Sequence, residues 1–178
     1  ELNTKLLFPV GGLVIGDSAG KGLFHNKPAF LGTTISAAQK HGIRHDILSS
    51  QELRKRFPQF NVAPNASAYF EYEAGYLNPE ECIRTQLQGA QKHGATIKTN
   101  QRVSGIRQTP LGTIEVITDD GTYSAEQIVV TAGPWTQKLF PDTFPTLRVT
   151  RQTLHWFPTG QHHALFSPER CPVFIWSF

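Results

Sequence analysis

The chain has no methionine and only two cysteines, Cys82 and Cys171, among its 178 residues. Because even the first residue is not methionine, and because the chain stops on the apolar run VFIWSF, we predict that residues 1–178 are an internal fragment of a larger chain. The two cysteines are far apart and lack the spacing of a zinc site, which favours reduced thiols in a cytoplasmic protein. A disulfide between them is the alternative.

Long hydrophobic runs and clustered positive charge are also missing. No apolar segment has the length needed to cross a bilayer, and the N-terminal residues do not resemble a secretion signal. The net charge is only +3, with lysines and arginines scattered among acidic residues. Since a protein that binds nucleic acid normally carries a basic stripe, we expect neither a nucleic acid nor a membrane as a partner.

Motifs that bind phosphates or metals are absent as well. No G-x-G-x-x-G follows a predicted strand, and residues 16–22, GDSAGKG, lack the spacing of a phosphate loop and are interpreted as an exposed turn. If a dinucleotide binds, its pyrophosphate site lies outside this chain. His162 and His163 are adjacent and have no acidic or cysteine partner at ligand spacing, so a solvated loop is favoured over a metal site.

Helix and strand patterns run along the whole chain. Helices are predicted at residues 28–42, 49–58 and 79–94. The last helix is predicted to bury a stripe formed by Ile83, Leu87 and Ala90. Strands are predicted at residues 6–16 as a hairpin, at 67–78 as two strands around Gly75, and at 95–100, 102–109, 112–121, 123–133, 147–158 and 171–178. Helices followed by clustered hairpins favour an α+β fold, with a mixed or antiparallel sheet and flanking helices.

Residues 128–135, IVVTAGPW, carry the main functional signal. On the residues alone they predict a buried strand that ends in a glycine turn, with Pro134 starting a helix and Trp135 packing beneath it. This segment follows a helix, a strand, an RV pair at 102–103 and a hairpin. That order resembles the middle of FAD-dependent amine oxidases of the D-amino acid oxidase superfamily, in particular the branch of monomeric sarcosine oxidase and N-methyl-tryptophan oxidase.

The resemblance covers nearly the whole chain. Besides the segments already quoted, those that resemble the family are FEYEAGYLNPEECIRTQLQGAQKHGA at 70–95, RVTRQTLHWF at 148–157 and CPVFIW at 171–176. Each segment is common by itself, whereas the combined order is specific.

The resemblance implies roles for six residues but no catalytic residue and no metal ligand. The backbone of Val103 would contact the adenine of FAD. The turn formed by Thr131, Ala132 and Gly133 would approach the cofactor closely, because Ala132 and Gly133 have little or no side chain to keep the backbone away from it. By the same resemblance Trp135 would pack behind this turn, and Ile175 would face the substrate.

For the parent enzyme, the resemblance implies FAD-dependent oxidation of a secondary amine or N-methyl amino acid to an imine, with oxygen reduced to hydrogen peroxide. A small-molecule amine and oxygen are then its partners. Residues 1–78 and 145–178 would belong to the substrate domain, and residues 79–144 would pack on or belong to the FAD-binding domain. The family's glycine motif, flavin-linked cysteine and basic substrate-binding residues would lie outside the chain, so the chain alone is expected to be inactive.

Two other functions are compatible with these residues. An FAD-dependent amino acid dehydrogenase, which passes electrons to a carrier instead of oxygen, shares this middle segment. A cofactor-free α+β binding module would instead be a stable, closed domain that begins near residue 1 and ends near residue 178.

The source gene distinguishes two hypotheses, namely that the chain is an internal fragment of an enzyme and that it is a self-contained binding module. We expect its reading frame to continue upstream of Glu1 into a strand followed by G-x-G-x-x-G, and downstream of Phe178 into further strands. Sequencing the flanking DNA tests this expectation. Start and stop signals next to the present ends would contradict the enzyme interpretation.

Overall fold

The computed structural model describes residues 4–17, 23–24 and 27–177 of the chain. These residues form two compact units. One contains the described residues up to Lys92 and from Phe157 onward, and the other is His93–Trp156. Each unit has a β-sheet of its own.

The regular elements are numbered in chain order. The strands are β1 (Leu7–Phe8), β2 (Gly12–Asp17), β3 (Leu23–Phe24), β4 (Lys27–Pro28), β5 (His45–Ser49), β6 (Ala66–Glu71), β7 (Tyr76–Leu77), β8 (Val103–Gln108), β9 (Ile114–Thr118), β10 (Gly121–Ala125) and β11 (Val173–Trp176). The helices are α1 (Phe30–Lys40), α2 (Ser50–Arg56), α3 (Pro79–Lys92) and α4 (Thr136–Leu139). Short 3-10 helices cover Gly133–Trp135 and Gly160–Phe166.

A four-stranded sheet in the order β11-β2-β6-β5 organises the first unit. β2 runs antiparallel to β6, β6 runs antiparallel to β5, and β11 runs parallel to β2. Leu13 and Ile15 of β2 are 1% and 0% exposed and pack on the face that α2 covers. Val14 and Tyr69 lie on the opposite face with Leu31 of α1. The predicted α+β fold with a mixed sheet and flanking helices is confirmed.

Helices α1 and α2 follow the sequence predictions. α2 begins after Ser49, whose hydroxyl accepts a hydrogen bond from the amide of Glu52 while the Glu52 carboxylate accepts one from the amide of Ser49. This reciprocal arrangement is a capping box and satisfies amides at the start of the helix. α1 buries Leu31 and Ala38, which the helical period of the sequence places on one face.

The predicted hairpin at residues 6–16 is wrong. β1 pairs with β7 in a separate ladder, while β2 pairs with β6 and β11. Pro9 has no amide hydrogen to donate, and the amide of Gly11 donates to the carbonyl of Ala74 instead of to β1. The chain therefore changes partners between the two strands rather than folding back on itself.

Helix α3 lies within two residues of its predicted bounds, but its predicted buried stripe is wrong. Ile83 is 57% exposed, Leu87 is 42% exposed, and Ala90 is exposed as well. The 3.6-residue period places these three side chains on one face of the helix. It does not specify what covers that face, which stays open in the described part of the chain.

The second unit is built on a three-stranded antiparallel sheet in the order β10-β9-β8. Residues 119–121, Asp-Asp-Gly between two β-branched runs, predict a hairpin turn, and this prediction is confirmed because Gly121 lies opposite Thr118 at the start of the β9–β10 ladder. β8 and β9 occupy two further predicted strand segments. Across them, Arg107 Nε donates to Glu115 Oε2 over 2.7 Å.

Three predicted strand segments have no regular structure, namely residues 95–100, 128–130 and 147–158. β-branched runs favour extended backbone, which is why the sequence suggested strands there. A strand also needs a neighbour whose amides and carbonyls complete its hydrogen bonds. No described strand pairs with any of these segments.

Asp46 of β5 connects α2 to the sheet. Its carboxylate accepts hydrogen bonds from Arg56 Nη1 over 2.7 Å and from the hydroxyl of Tyr72. The Arg56 guanidinium also lies 4.0 Å from the centre of the Phe70 ring. The hydrogen bond from Tyr72, followed by that from Arg56, lowers the pKa of Asp46 from its ordinary value of 3.8.

Replacing Asp46 by Asn keeps the shape of the side chain and removes its charge. Asp46→Asn is expected to lower the free energy of unfolding near pH 7 by about 0.5–1 kcal/mol, because water screens this partly exposed pair. A carboxylate whose pKa is lowered on folding stabilises the fold above its unfolded-state pKa, and that contribution is lost as the pH falls through the folded-state pKa. The difference between wild type and variant should therefore shrink in acid.

Urea unfolding followed by circular dichroism, at neutral and at acidic pH, measures this difference. Glu73→Gln is the matched control, since Glu73 is an exposed carboxylate of the same unit. An equal loss in both variants, or a loss that does not change with pH, would contradict the assigned role of Asp46.

Candidate functional site

An open cleft of about 1250 Å³ lies within the second unit. One side of it is formed by β8 and β9, and the other by residues 128–135 and α4. The five residues predicted to form the cofactor site are Val103, Thr131, Ala132, Gly133 and Trp135, and all of them line this cleft. The structure therefore brings together residues that lie up to 32 positions apart in the sequence.

The turn at residues 131–135 differs from the prediction in two ways. Residues 128–130 are not a buried strand, since Val129 is 89% exposed. Trp135 does not pack beneath the turn, because its side chain is 67% exposed. Pro134 does start helical structure, as predicted, since the 3-10 helix Gly133–Trp135 leads directly into α4.

Gly133 has the backbone conformation that most requires glycine in this turn. Its φ angle is +51°, in the left-handed region that side chains disfavour. A Cβ atom built on Gly133 would meet no atom within 4 Å. The backbone at this point thus borders open space, where a ligand can approach it closely.

A β-bulge shapes the opposite wall of the cleft. Val103 pairs with Thr118 and Gly105 pairs with Ile117, so Ser104 is the extra residue of β8. The Ser104 hydroxyl donates to the carbonyl of Ile117 over 3.3 Å. Bulges bend a strand and re-aim its side chains, and they are frequent beside binding sites.

Positive charge borders the cleft. Lys98, Arg102 and Lys138 line it, and none of the described lining residues is acidic. The ammonium of Lys98 lies 4.9 Å from the centre of the Tyr123 ring. A concave surface that carries several cations attracts anions, so this cleft favours a negatively charged ligand. These cations were not among the predicted site residues, although each lies within five residues of Val103 or Gly133.

A second pocket, of about 320 Å³, lies within the first unit on the face of the sheet that α1 covers. Ile175, the residue predicted to face the substrate, lines it together with Val14 and Phe30. Because β11, β2 and β6 are in register here, Ile175 lies next to Val14, which lies next to Tyr69. The pocket is thus mainly apolar.

A hydrogen-bonded pair provides the polar part of this pocket. The buried Tyr69 donates its hydroxyl proton to Glu71 Oε2 over 2.7 Å. Burial, and then the hydrogen bond to Glu71, raise the pKa of Tyr69 from 10.0 to about 12, so the phenol stays protonated and remains a donor. The ring centre of His45 lies 5.2 Å from that of Tyr69. This pair could have been found from the sequence SAYFEYE, residues 67–73. Successive side chains of a strand point to opposite faces, so Tyr69 and Glu71 lie on the same face of β6.

The remaining candidates from the sequence form no site. Cys82 and Cys171 are free, half-buried thiols. His162 and His163 lie in a 3-10 helix rather than in the predicted loop, and both are exposed. The described residues contain no group of three or more His, Cys, Asp or Glu side chains arranged to hold a metal ion. Most of the predicted turn GDSAGKG, residues 18–22, lies outside the described residues.

Throughout the described ranges, no helix combines the length and the apolar character needed to span a bilayer.

Comparisons with solved structures show a known fold. NikD, described as an unusual amino acid oxidase essential for nikkomycin biosynthesis, aligns with a TM-score of 0.65 and 23% identity over 76% of this chain and 33% of its own. Glycine oxidase from Bacillus cereus aligns with a TM-score of 0.60 and 21% identity over 76% of this chain and 35% of its own. At these identities the likeness establishes the fold only.

Comparisons with curated protein sequences give higher identities than the comparisons with solved structures. Monomeric sarcosine oxidase from Streptomyces avermitilis is 29% identical over 143 residues, which cover 80% of this chain and 37% of that protein. N-methyl-L-tryptophan oxidase from Yersinia pestis is 36% identical over 146 residues, which cover 79% of this chain and 38% of that protein. The chain thus spans little more than a third of the length of these curated relatives.

A family model described as FAD dependent oxidoreductase, abbreviated DAO, matches residues 7–176. This match includes both pockets and every described helix and strand. The resemblance noted from the order of the sequence segments is confirmed: the chain belongs to the DAO family of FAD dependent oxidoreductases.

Proposed function

We propose that the parent protein is a flavin-dependent oxidase that converts a secondary amine or an N-methyl amino acid, such as sarcosine, to an imine while oxygen is reduced to hydrogen peroxide. The observation that carries this proposal is the cleft of the second unit. It gathers Val103, Thr131, Ala132, Gly133 and Trp135 in a chain whose family is FAD-dependent. The substrate class follows the names of the two relatives, which act on sarcosine and on N-methyl-L-tryptophan.

The cleft residues support specific roles in holding FAD. The backbone of Val103 would lie against the adenine, and the turn at 131–133 would contact the cofactor through main-chain atoms. Lys98, Arg102 and Lys138 would attract the negatively charged cofactor to this cleft, while its pyrophosphate would be held by residues outside this chain. Bound FAD would supply the hydride-accepting chemistry, whereas this chain supplies binding and orientation.

The first-unit pocket supports a role in holding the amine. Ile175, Val14 and Phe30 provide apolar walls that exclude water from a bound substrate. We therefore propose that residues 1–78 and 145–178 contribute to the substrate domain and that residues 79–144 contribute to FAD binding. In this proposal the isolated chain is inactive, because it holds only part of each site.

Flavin content and product analysis of the purified parent protein test the proposed activity. Retention of FAD and formation of peroxide with N-methyl amino acids are expected. Reduction of a dye without peroxide would identify a dehydrogenase instead. A full-length protein that retains no flavin would contradict the proposal and favour a binding module.

Gly133→Val in the parent protein tests the cofactor cleft. A β-branched residue at a φ of +51° is strained, and its side chain would occupy the open space above the turn. We expect FAD binding to weaken at least about tenfold, which corresponds to about 1.4 kcal/mol. The measurement is the dissociation constant of FAD, read from flavin fluorescence.

Gly112→Val is the matched control. Gly112 also has a positive φ, +87°, and open space around a Cβ, but it lies in the β8–β9 turn away from the cleft. This variant carries similar backbone strain, and its FAD affinity should stay close to that of the wild type. Unchanged affinity in Gly133→Val would count against the proposed contact.

A further inference from the structure

Glu71 is the only charged side chain among the described residues that line the first-unit pocket. Its neighbours there are mainly apolar, including Val14, Phe30, Val173 and Ile175. A carboxylate facing apolar walls loses part of its hydration, which is costly unless a partner compensates it. The pocket therefore contains a fixed negative site that favours a positively charged or hydrogen-donating ligand.

Tyr69 holds this carboxylate in a defined position. Its side chain is 3% exposed, and its hydroxyl donates to Glu71 Oε2 over 2.7 Å. The ring is held between neighbouring strands, since Tyr69 lies beside Val14 on β2 and Ile47 on β5. The other carboxylate oxygen, Oε1, accepts no hydrogen bond from the described residues. One oxygen is thus anchored while the second remains available to a ligand.

Strand pairing places Val173, Gly12 and Glu71 side by side in the lining of the pocket. Gly12 lies directly opposite Glu71 on β2, and Val173 lies opposite Gly12 on β11. A Cβ atom built on Gly12 would lie 2.7 Å from the Cβ of Ala74, so Ala74 packs closely over Gly12 and lines the pocket together with Val173 and Glu71. The volume of about 320 Å³ is at the small end of small-molecule pockets, which suits a group of amino-acid size.

The nitrogen that is oxidised is not a suitable partner for Glu71. Hydride loss from the adjacent carbon needs the free electron pair of a neutral amine. A nearby carboxylate stabilises the protonated amine and therefore opposes that state. The cation that Glu71 recognises is then a different group of the same substrate.

We propose that Glu71, positioned by Tyr69, is a specificity-determining residue that binds a second cationic group of the amine substrate, carried at the end of an apolar stem. This inference rests on the proposed function and deepens it. The substrate class becomes secondary amines that bear an additional ammonium or comparable nitrogen cation. The stem of such a substrate packs on Val14, Phe30 and Ile175, and Tyr69 acts only through Glu71.

Two ligands that differ only in the terminal ammonium of their side chains test this proposal, namely N-α-methyl-L-lysine and N-methyl-L-norleucine. Their dissociation constants are measured by isothermal titration calorimetry on the full-length protein, with its flavin reduced beforehand and oxygen excluded, so that no turnover occurs. The wild type should bind the lysine derivative at least about tenfold more tightly, about 1.4 kcal/mol. Glu71→Gln should abolish this preference while affinity for the norleucine derivative stays unchanged.

Two further variants separate positioning from general damage. Tyr69→Phe removes the hydroxyl that orients Glu71 and should reduce the preference about threefold, with less effect than Glu71→Gln. Glu73→Gln removes an exposed carboxylate that does not line the pocket and should leave the preference intact. Flavin content shows that each variant is folded.

The outcomes distinguish this inference from the proposed function. Absence of any preference in the wild type, failure of both ligands to bind, or a preference retained in Glu71→Gln overturns the role of Glu71. If N-methyl amines still reduce the flavin of the wild type in such a case, the proposed oxidase function stands and only the role of Glu71 is rejected. A protein that retains no flavin and oxidises no amine overturns both.

Discussion

The parallel pairing of β11 with β2 is the contact on which the first unit depends. It joins segments about 160 residues apart, and the Ser177 amide and hydroxyl close it by donating to the carbonyl of Ile15 over 2.9 and 3.1 Å. A Cβ on Gly16 would come within 2.9 Å of the Ser177 hydroxyl, so the approach needs a glycine there. The same pairing places Ile175 beside Val14, and this alignment forms the wall of the apolar pocket.

In the second unit, local turns rather than long-range pairing create the cleft. Adjacent strands are joined by short hairpins, and the segment that follows β10 returns to face β8. This return brings the turn at Gly133 and the cations Lys98, Arg102 and Lys138 to one concave surface. The two pockets thus have different characters, since one is cationic with exposed backbone and the other is apolar with a single carboxylate.

Prediction from the sequence succeeded where one local interaction decides the structure. The Ser49 capping box starts α2, and the Asp-Gly turn at residues 120–121 closes the β9–β10 hairpin. It failed where a segment needs a distant partner, as in the supposed hairpin at residues 6–16 and the supposed strand at 128–130. Apolar and β-branched patterns indicate which surface of a helix or strand needs to be covered. They do not indicate which other segment covers it.

For this chain, the sequence by itself determined the α+β class, the helices and hairpin turns, and the family resemblance carried by the order of its segments. These features depend on side chains within a few positions of one another or on their order along the chain. Only the tertiary structure decided that β11 joins β2, that Glu71 shares a pocket with Ile175, and that three cations border the predicted cofactor turn. The physical reason is that strand pairing between distant segments depends on the packing of the whole sheet, which no local pattern encodes.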